Sequence, residues 1–541
     1  MKAEMEMKKV SVPVAADLIR SLVRRIQAGD LTKEQAILQL NEPTIELLTK
    51  SSFDSESSST ITSGVPVSSG VATGRVCFSV EKCLALSQAS QPTILLADSI
   101  RAEDINGFPH LQGVLSLTED PTSHASIIAR VMEKPFVSML RNAAWAPAKQ
   151  SIRLGSERVI EGDWLSLNGF DGDVFKGKKT IRKPMPPAEF NQLSAWIGES
   201  GKLSVHGNAD TPEEAQSALE NGASAIEPRT EYMFFKPRRL RMFRRMILAR
   251  TEAHRARVLA ELMQAQRDDF IRLFEVMGSL PVHIRLLDPP LHEFLPKDVV
   301  AKTQLAEDLQ VAIEWVEEQI AVLEEINPMM GHRGARLLIT RPTLTEMQAR
   351  AIFEAALEMH RRGVEVKPII VIPMVVDCRE VVFLKRIIAR IHLNYLQASG
   401  IDLQYAMGAM IETPRAALVS DKIASEVEFL SFGTNDLTAQ TFGFSRGDVL
   451  KKFLSKYLDQ GILDFDPFYS LDESVVFLIR ETVRKARVAN PRISIGLCGE
   501  QGGERNTIKL CHEIGLNSIS CSPGRIPVAK LYAAQAAIET A

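Results

Sequence analysis

From residue 191 to 541 the sequence repeats one pattern. An apolar run of strand length ends in polar or charged residues, and a helical stretch follows. In order the runs are LSVHGN, SAIEPRTE, VHIRLLD, ARLLIT, IIVIPM, MGAMIE, FLSFGTND and SIGLCGE. Strands that alternate with helices need crossover connections, which makes their sheet parallel. Eight such units in about 350 residues is the count of a closed (β/α)8 TIM barrel with insertions. An open doubly wound sheet is the rival. No Gly-rich dinucleotide fingerprint follows the first run, so the barrel is the expected fold. In such barrels the working residues sit just after the strands. Arg229, Arg285, Glu412, Asn435, Asp436 and Cys498 fall at or near the ends of these runs.

The 541 residues leave room for about three domains at roughly 150 residues each. Residues 1–64 read as a helical connector and a linker. LIRSLVRRIQAG carries apolar positions at helical spacing and closes on Gly29. Thr32 opens TKEQAILQL with Gln35 three residues on, a capping box, so two short helices are expected between 13 and 49. SSFDSESSSTITSG is serine-rich and acidic and reads as a flexible connector. From 65 to 180, short apolar runs alternate with turn signals and one helix, which predicts a compact mixed α/β domain. Within it, EGDWLSLNGFDGDVFKG has strand–turn–strand character with Asp-Gly at the turn. IRKPMPPAEF, 181–190, is a stiff proline-containing linker, and the barrel fills 191–541.

A formal net charge of -3 gives no nucleic-acid footprint. No stretch reaches about 18 consecutive apolar residues, so no membrane span is expected. The first residues, MKAEMEMKKVSVPVAADLIRSL, have no signal-type apolar core. The six cysteines form no CxxC pair, which points to reduced thiols and a cytoplasmic protein.

Several residues could carry chemistry. Glu412 and Asp436 are carboxylates at neighbouring strand ends, suited to a hard cation such as Mg²⁺. Either could instead be a helix N-cap, since each precedes a helical run. Arg229, Arg285 and Arg333 offer planar forks matched to phosphate or carboxylate oxygens. A lone arginine is more often a surface ion-pair partner worth at most about 1 kcal/mol. The glycines beside Arg333 favour close approach of a ligand. Cys498, in GLCGEQGG, is a titratable thiol at a strand end or a small buried hydrophobe. His124 follows Pro-Thr-Ser and opens HASIIARVMEK, with Thr122 or Ser123 as cap. The amide groups and dipole of a helix start attract an anion and keep imidazole neutral, which suits a phosphorylated histidine. A structural histidine is the other reading.

The motifs TSHASIIAR, VHIRLLDPPLHEFLP, NPMMGHRGARL, MIETPRAALVSDKIA, FLSFGTNDLTAQTFGFSRGD, GLCGEQGG and CSPGRIPVAKL occur in that order. Together they resemble the pyruvate phosphate dikinase branch of the phosphoenolpyruvate-utilising enzymes, from about residue 13 to the C-terminus. The resemblance implies a swivelling phosphohistidine domain followed by a TIM barrel that binds phosphoenolpyruvate or pyruvate. His124 would carry the phosphoryl group. Arg229, Arg285 and Arg333 would hold phosphate and enolate oxygens, and Gly433, Thr434 and Asn435 would contact the substrate. Glu412 and Asp436 would ligate Mg²⁺. Cys498 would exchange the proton at the methylene carbon. The resemblance also allows a homodimer through the barrel, and control by phosphorylation of Thr122.

Three departures stand out. The resemblance opens in the helical segment that follows the dikinases' nucleotide-binding domain. The nucleotide half-reaction is therefore expected to be absent or to sit on a separate nucleotide-binding subunit. Glu119-Asp120 replaces a Gly-Gly pair ahead of the histidine signature, where two carboxylates should repel a phosphoryl dianion or merely point outward. His206 stands where the first barrel strand normally ends in a phosphate-binding arginine, and Glu227-Pro228 precedes Arg229 where apolar or small residues are usual. Two alternatives to the transferase follow. One is a catalytically impaired regulatory protein that still binds phosphoenolpyruvate or pyruvate. The other is a phosphorelay like enzyme I of the sugar phosphotransferase system.

Overall fold

The computed structural model describes residues 12–54, 59–100, 104–120, 123–146 and 151–540. They form two compact units. One runs to Gly201 and takes in Gly447–Asp464 and Lys530–Ala541; the other comprises Lys202–Arg446 and Phe465–Ala529.

The first unit opens with helices Val12–Gln27, Lys33–Leu38 and Glu42–Thr49. The capping box is present: Thr32 Oγ1 accepts from the Gln35 N–H, and Gln35 Oε1 accepts from the Thr32 N–H at 3.1 Å. The third helix was not expected. Asn41 caps it and Pro43 lies in its first turn, where proline's missing N–H costs nothing.

A mixed eight-stranded sheet follows. Its centre is four parallel strands, Val71–Cys77, Thr93–Ala97, Gly113–Ser116 and Phe136–Ser138. The antiparallel pair Trp164–Asn168 and Asp173–Lys176 is the strand–turn–strand read from the sequence. Alternation along the central strands serves two cores: Ile94 and Leu96 pack on one face, Leu95 on the other. Helix His124–Val131 crosses from the third central strand to the fourth. It buries Ala125, Ile128 and Ala129 against the core that holds Leu95, Val114 and Phe136. Its N-terminus therefore stands at the carboxyl end of the parallel strands, where open α/β sheets hold ligands. The stretch 181–190 is more ordered than a linker. Ile181–Arg182 pairs with Ser52–Phe53, and Ala188 begins helix Ala188–Ser200.

The second unit holds a closed parallel barrel. Its strands are β1 (Ser204–Gly207), β2 (Ala225–Ile226), β3 (Pro281–Arg285), β4 (Lys367–Ile372), β5 (Ala406–Ile411), β6 (Phe429–Gly433), β7 (Ser494–Cys498) and β8 (Ser518–Cys521). β1 pairs with β8, Val205 opposite Ile519, and so closes the ring. One expectation is corrected. ARLLIT is a helix, Ala335–Thr340, and the eighth strand is SISC. Six apolar-rich residues fit either period, and here Gly334 at φ 55 turns the chain into a helix that buries Ala335, Leu337 and Leu338. The true last strand is half serine and carries little hydrophobic signal.

Candidate active site

At the carboxyl ends of the barrel strands, Arg229, Arg285, Glu412, Gly433, Thr434, Asn435, Asp436 and Cys498 line one pocket. Arg333 reaches it through Asp436, to which Nη1 donates at 3.0 Å. The sequence-predicted barrel residues thus converge.

Each is held by an identifiable neighbour. Arg229 follows the two-residue β2. Its guanidinium donates to Asp210 Oδ2 at 2.5 Å, and its own N–H donates to Asp210 Oδ1 at 2.7 Å. Arg285 ends β3 and pairs with Glu231. Gln348 ties the two loops together. Its Oε1 accepts from the Leu287 N–H at 2.9 Å, and its Nε2 donates to Thr230 Oγ1 at 2.8 Å. Arg333 sits before Gly334, whose N–H donates to the Asp288 carbonyl at 2.9 Å. Side chains cannot replace Gly334: a Cβ would lie 2.6 Å from Met374 Cβ, on a positive φ.

Neither Glu412 nor Asp436 is a helix cap. Thr413 caps the helix after β5 with Oγ1, accepting from the Ala416 N–H at 3.0 Å. Asp436 is the third residue of helix Thr434–Phe442, which Gly433 precedes without a side-chain cap. Glu412 is buried instead, with Oε2 accepting from the Met374 N–H at 2.8 Å. Met374 provides that N–H from the left-handed region, φ 55, a conformation that the surrounding packing must hold in place. Asn435 Oδ1 is buried without a hydrogen-bond partner.

The charges do not balance. Glu231, Asp288, Glu412 and Asp436 face Arg285 and Arg333. Burial, with Asp288 and Asp436 close by, raises Glu412 to about 8 despite the two arginines. Burial likewise raises Asp436, against the pull of Arg333. An acidic oxygen pair that holds its protons too tightly is a set that a divalent cation would satisfy, and all-oxygen donors fit Mg²⁺. Burial, then the neighbouring Glu227, pushes the Cys498 thiol up to about 12. It therefore holds its proton near neutrality and can give it to a stronger base.

Sequence reasoning missed Asp210, Glu231, Asp288 and Gln348. Asp288 stands in the quoted LDPP stretch, where its place just past a strand end was the available signal. Gln348 lies mid-helix in an apolar-rich segment and had none.

His124 is in the first unit. It is the first residue of helix His124–Val131, and Ser123 is the cap, its Oγ accepting from the Ser126 N–H at 3.2 Å. Thr122 lies outside the described residues. The Glu119-Asp120 expectation is modified. Glu119 is buried, and its Oε2 accepts from the Ile100 N–H at 2.8 Å. The carboxylate is engaged as a loop anchor and does not point outward. The Asp120 carbonyl accepts from Ser126 Oγ at 2.7 Å. Among the described residues no helix is long and apolar enough to cross a membrane.

The chain matches two families of known proteins. Residues 187–538 match the PEP-utilising enzyme, PEP-binding domain, and residues 89–172 match the PEP-utilising enzyme, mobile domain. It is 37% identical over 536 residues to pyruvate, phosphate dikinase of Clostridium symbiosum, covering 98% of this chain and 61% of that protein. It is 40% identical over 528 residues to the chloroplastic pyruvate, phosphate dikinase of Flaveria pringlei, covering 96% and 55%. The Entamoeba histolytica enzyme of that name is 40% identical over 540 residues, covering 97% and 60%. The chain therefore spans little more than half the length of these relatives. With a mobile domain, a barrel of matching type and this identity along nearly all of its length, the chain belongs to the PEP-utilising enzyme family.

Proposed function

We propose that this chain performs Mg²⁺-dependent phosphoryl transfer between phosphoenolpyruvate or pyruvate and His124. The observation that carries the reading is the convergence of Arg229, Arg285, Glu412, Asp436 and Cys498 on one pocket at the barrel's carboxyl end. Arg229 and Arg285 bind and orient the anionic oxygens of the substrate. Gly433, Thr434 and Asn435 present the start of a helix, whose free amide groups favour an anion. Glu412 and Asp436 would hold Mg²⁺, which when bound neutralises charge developing on phosphoryl and enolate oxygens. The imidazole of His124 takes the phosphoryl group as the P–O bond of phosphoenolpyruvate breaks. The enolate left behind takes its proton at the methylene carbon from the Cys498 thiol, and pyruvate results. In reverse, the thiolate removes that proton. The mobile domain then presents the phosphohistidine to a nucleotide-binding unit, on a separate subunit or elsewhere in a longer chain. The protein works in a reducing cytoplasm, where its cysteines remain thiols.

The test is incubation of the chain with ³²P-labelled phosphoenolpyruvate and Mg²⁺. Acid-labile label on the wild type and none on His124→Ala is expected. An unlabelled wild type would overturn the reading.

A second reading has one specific observation behind it. His206 is engaged with Glu227, Nδ1 to Oε1 at 2.9 Å, at a place where the resemblance implies a phosphate-binding arginine. In that case the chain is a regulatory protein that binds phosphoenolpyruvate or pyruvate without transfer. Thermal stabilisation by phosphoenolpyruvate, unchanged in His124→Ala and accompanied by no label, would favour it.

A further inference from the structure

His206, Glu227 and His283 come from three successive strand positions of the barrel: on β1, just after β2, and on β3. None forms or breaks a bond in the proposed transfer, and Glu227 enters it only as the charge beside Cys498. The register places Val282 opposite Ile226, which sets Glu227 beside His283, and His206, opposite Ala225, reaches the same group from β1. One ligand atom from each lies within 4.8 Å of the other two. The imidazole centroids are 4.9 Å apart. Both histidines are at least nine-tenths buried, at 5% and 6% exposure.

Buried polar side chains normally find partners. His283 does not: its Nδ1 is buried with no hydrogen-bond partner. The ring packs edge-on against Phe429, its centroid 4.4 Å away. Burial and the neighbouring His206 hold His283 down at about 3, so its ring is neutral and keeps a free lone pair. Beside it Glu227 is an anion: burial works to raise it, but the His206 hydrogen bond and the surrounding charges leave it lowered. The cluster is not sealed off, because Glu227 and His283 both line the pocket that opens at the barrel mouth.

We infer that His206, Glu227 and His283 form a binding site for a divalent transition-metal ion of the Zn²⁺ class. Two imidazole nitrogens and one carboxylate oxygen are a donor set that borderline cations take and that Mg²⁺ does not prefer. The site is chemically distinct from the all-oxygen pair Glu412 and Asp436. Bond lengths of about 2.0–2.1 Å place ligand atoms roughly 3.3 Å apart in a tetrahedron, so modest side-chain rotation closes the set. The ion displaces the proton shared between His206 Nδ1 and Glu227, which leaves to solvent. Its fourth position faces the pocket, open to water or an anionic oxygen. The inference stands apart from the transfer reaction and needs no turnover for its test.

The experiment uses the full chain without a polyhistidine tag, stripped with chelator and dialysed against Zn²⁺ in the presence of excess Mg²⁺, which competes only for the all-oxygen pair. Metal is then counted by mass spectrometry, and Co²⁺ is substituted to read its visible absorption. The expected result is about one Zn²⁺ per chain, tetrahedral or five-coordinate Co²⁺ bands, and at least tenfold weaker binding in Glu227→Gln and His283→Gln. Glu412→Gln should leave Zn²⁺ stoichiometry unchanged. Fewer than about 0.2 Zn²⁺ per wild-type chain would overturn the assignment, as would unweakened binding in both ligand variants. Loss of the ion in Glu412→Gln alone would overturn it too, by moving the site to the acidic pair. Thermal melts in chelator identify any variant that fails to fold, and the wild-type count and Co²⁺ spectrum decide without the variants.

Discussion

Asp288 grips Arg333 with both carboxylate oxygens: Oδ1 accepts from Nε at 3.1 Å and Oδ2 from Nη2 at 2.5 Å. The Asp288 side chain is 3% exposed and that of Arg333 is 13%. Arg333 also meets Asp436, so its place in the site is set from behind by Asp288. Removing one member of a buried pair costs about 3 kcal/mol or more, because the other charge is left uncompensated. Asp288→Asn should lower the urea-derived unfolding free energy by about that amount. Label transfer to His124 should fall roughly 100-fold, the scale expected when a positioning group is displaced. An unchanged unfolding midpoint would show that Arg333 is held by other means.

Gly433→Ala should damage the site through a single methyl group. The backbone there, φ -86, suits any residue, so conformational strain is not the issue. The added Cβ would overlap Glu412 Oε1 and lie 2.5 Å from its Cγ and 2.8 Å from its Cδ. Gly433 is hydrogen-bonded into the barrel wall opposite Cys498 and cannot retreat. Overpacking of this kind costs about 1–3 kcal/mol. Mg²⁺-dependent thermal stabilisation should vanish with it, while a variant that still responds to Mg²⁺ would place the cation away from Glu412.

The reach of the sequence can be judged from these same residues. Seven of the eight barrel strands announced themselves as apolar runs ending in polar residues, because barrel strands are buried on both faces. The eighth, SISC, hid behind its serines, and ARLLIT took its place in the count. Charged residues at strand ends were legible because position along a strand is a sequence property. What holds them was not. Asp288, Asp210 and Gln348 act across separations of 45, 19 and 61 residues, and a single sequence carries no record of such pairings. Two of the three members of the His206–Glu227–His283 cluster were visible, as departures from the expected pattern. Its third member, His283, lies mid-strand in VHIRLLD, where a lone histidine between apolar residues carries no signal of its own.

Cys498→Ala should separate the carbon chemistry from the phosphorus chemistry. The thiol is pushed up to about 12, first by burial and then by Glu227. Its proton therefore stays on for most of the population from pH 6 to 9, and because the thiolate is the base that takes the methyl proton of pyruvate, exchange should climb with pH, by about tenfold per unit, across that range. Proton NMR of pyruvate in D₂O with the chain and Mg²⁺ measures this directly. The alanine variant should lose exchange by about 100-fold or more, the usual contribution of a positioned acid–base group. Exchange at the wild-type rate in Cys498→Ala would assign the proton to another group.

Glu412→Gln should make the metal-free protein more stable and less responsive. Glu412 is raised from 4.5 to about 8 in the folded chain, first by burial. A carboxyl raised in this way favours folding below its unfolded value and loses that contribution as pH climbs through about 8. Glutamine does not titrate. The variant's advantage in melting temperature should therefore be small near pH 5 and grow toward pH 8.5, where the wild type must hold a buried anion. Added Mg²⁺ should close the gap by stabilising the wild type only. A pH-independent difference would show that Glu412 is not the titrating group.

Glu119→Ala tests whether the acidic pair ahead of His124 is a barrier to phosphate or a support for the loop. A barrier, once removed, would raise the rate of label incorporation. A support would not, and the structure describes a support: Glu119 is 9% exposed, and its Oε2 accepts from the Ile100 N–H at 2.8 Å while its own N–H donates to Ser116 Oγ at 3.1 Å. The carboxylate thus ties residue 100 to the turn that leads into the histidine helix. Hydrogen bonds to charged groups contribute about 1.5–3 kcal/mol, so the variant should unfold at lower urea by that much. Amide exchange should speed up at Ile100 and leave the central strands unchanged. Label incorporation should stay level or fall. A rise of tenfold or more, with stability intact, would mean that the carboxylate's charge, and not its hydrogen bond, is what matters to the histidine.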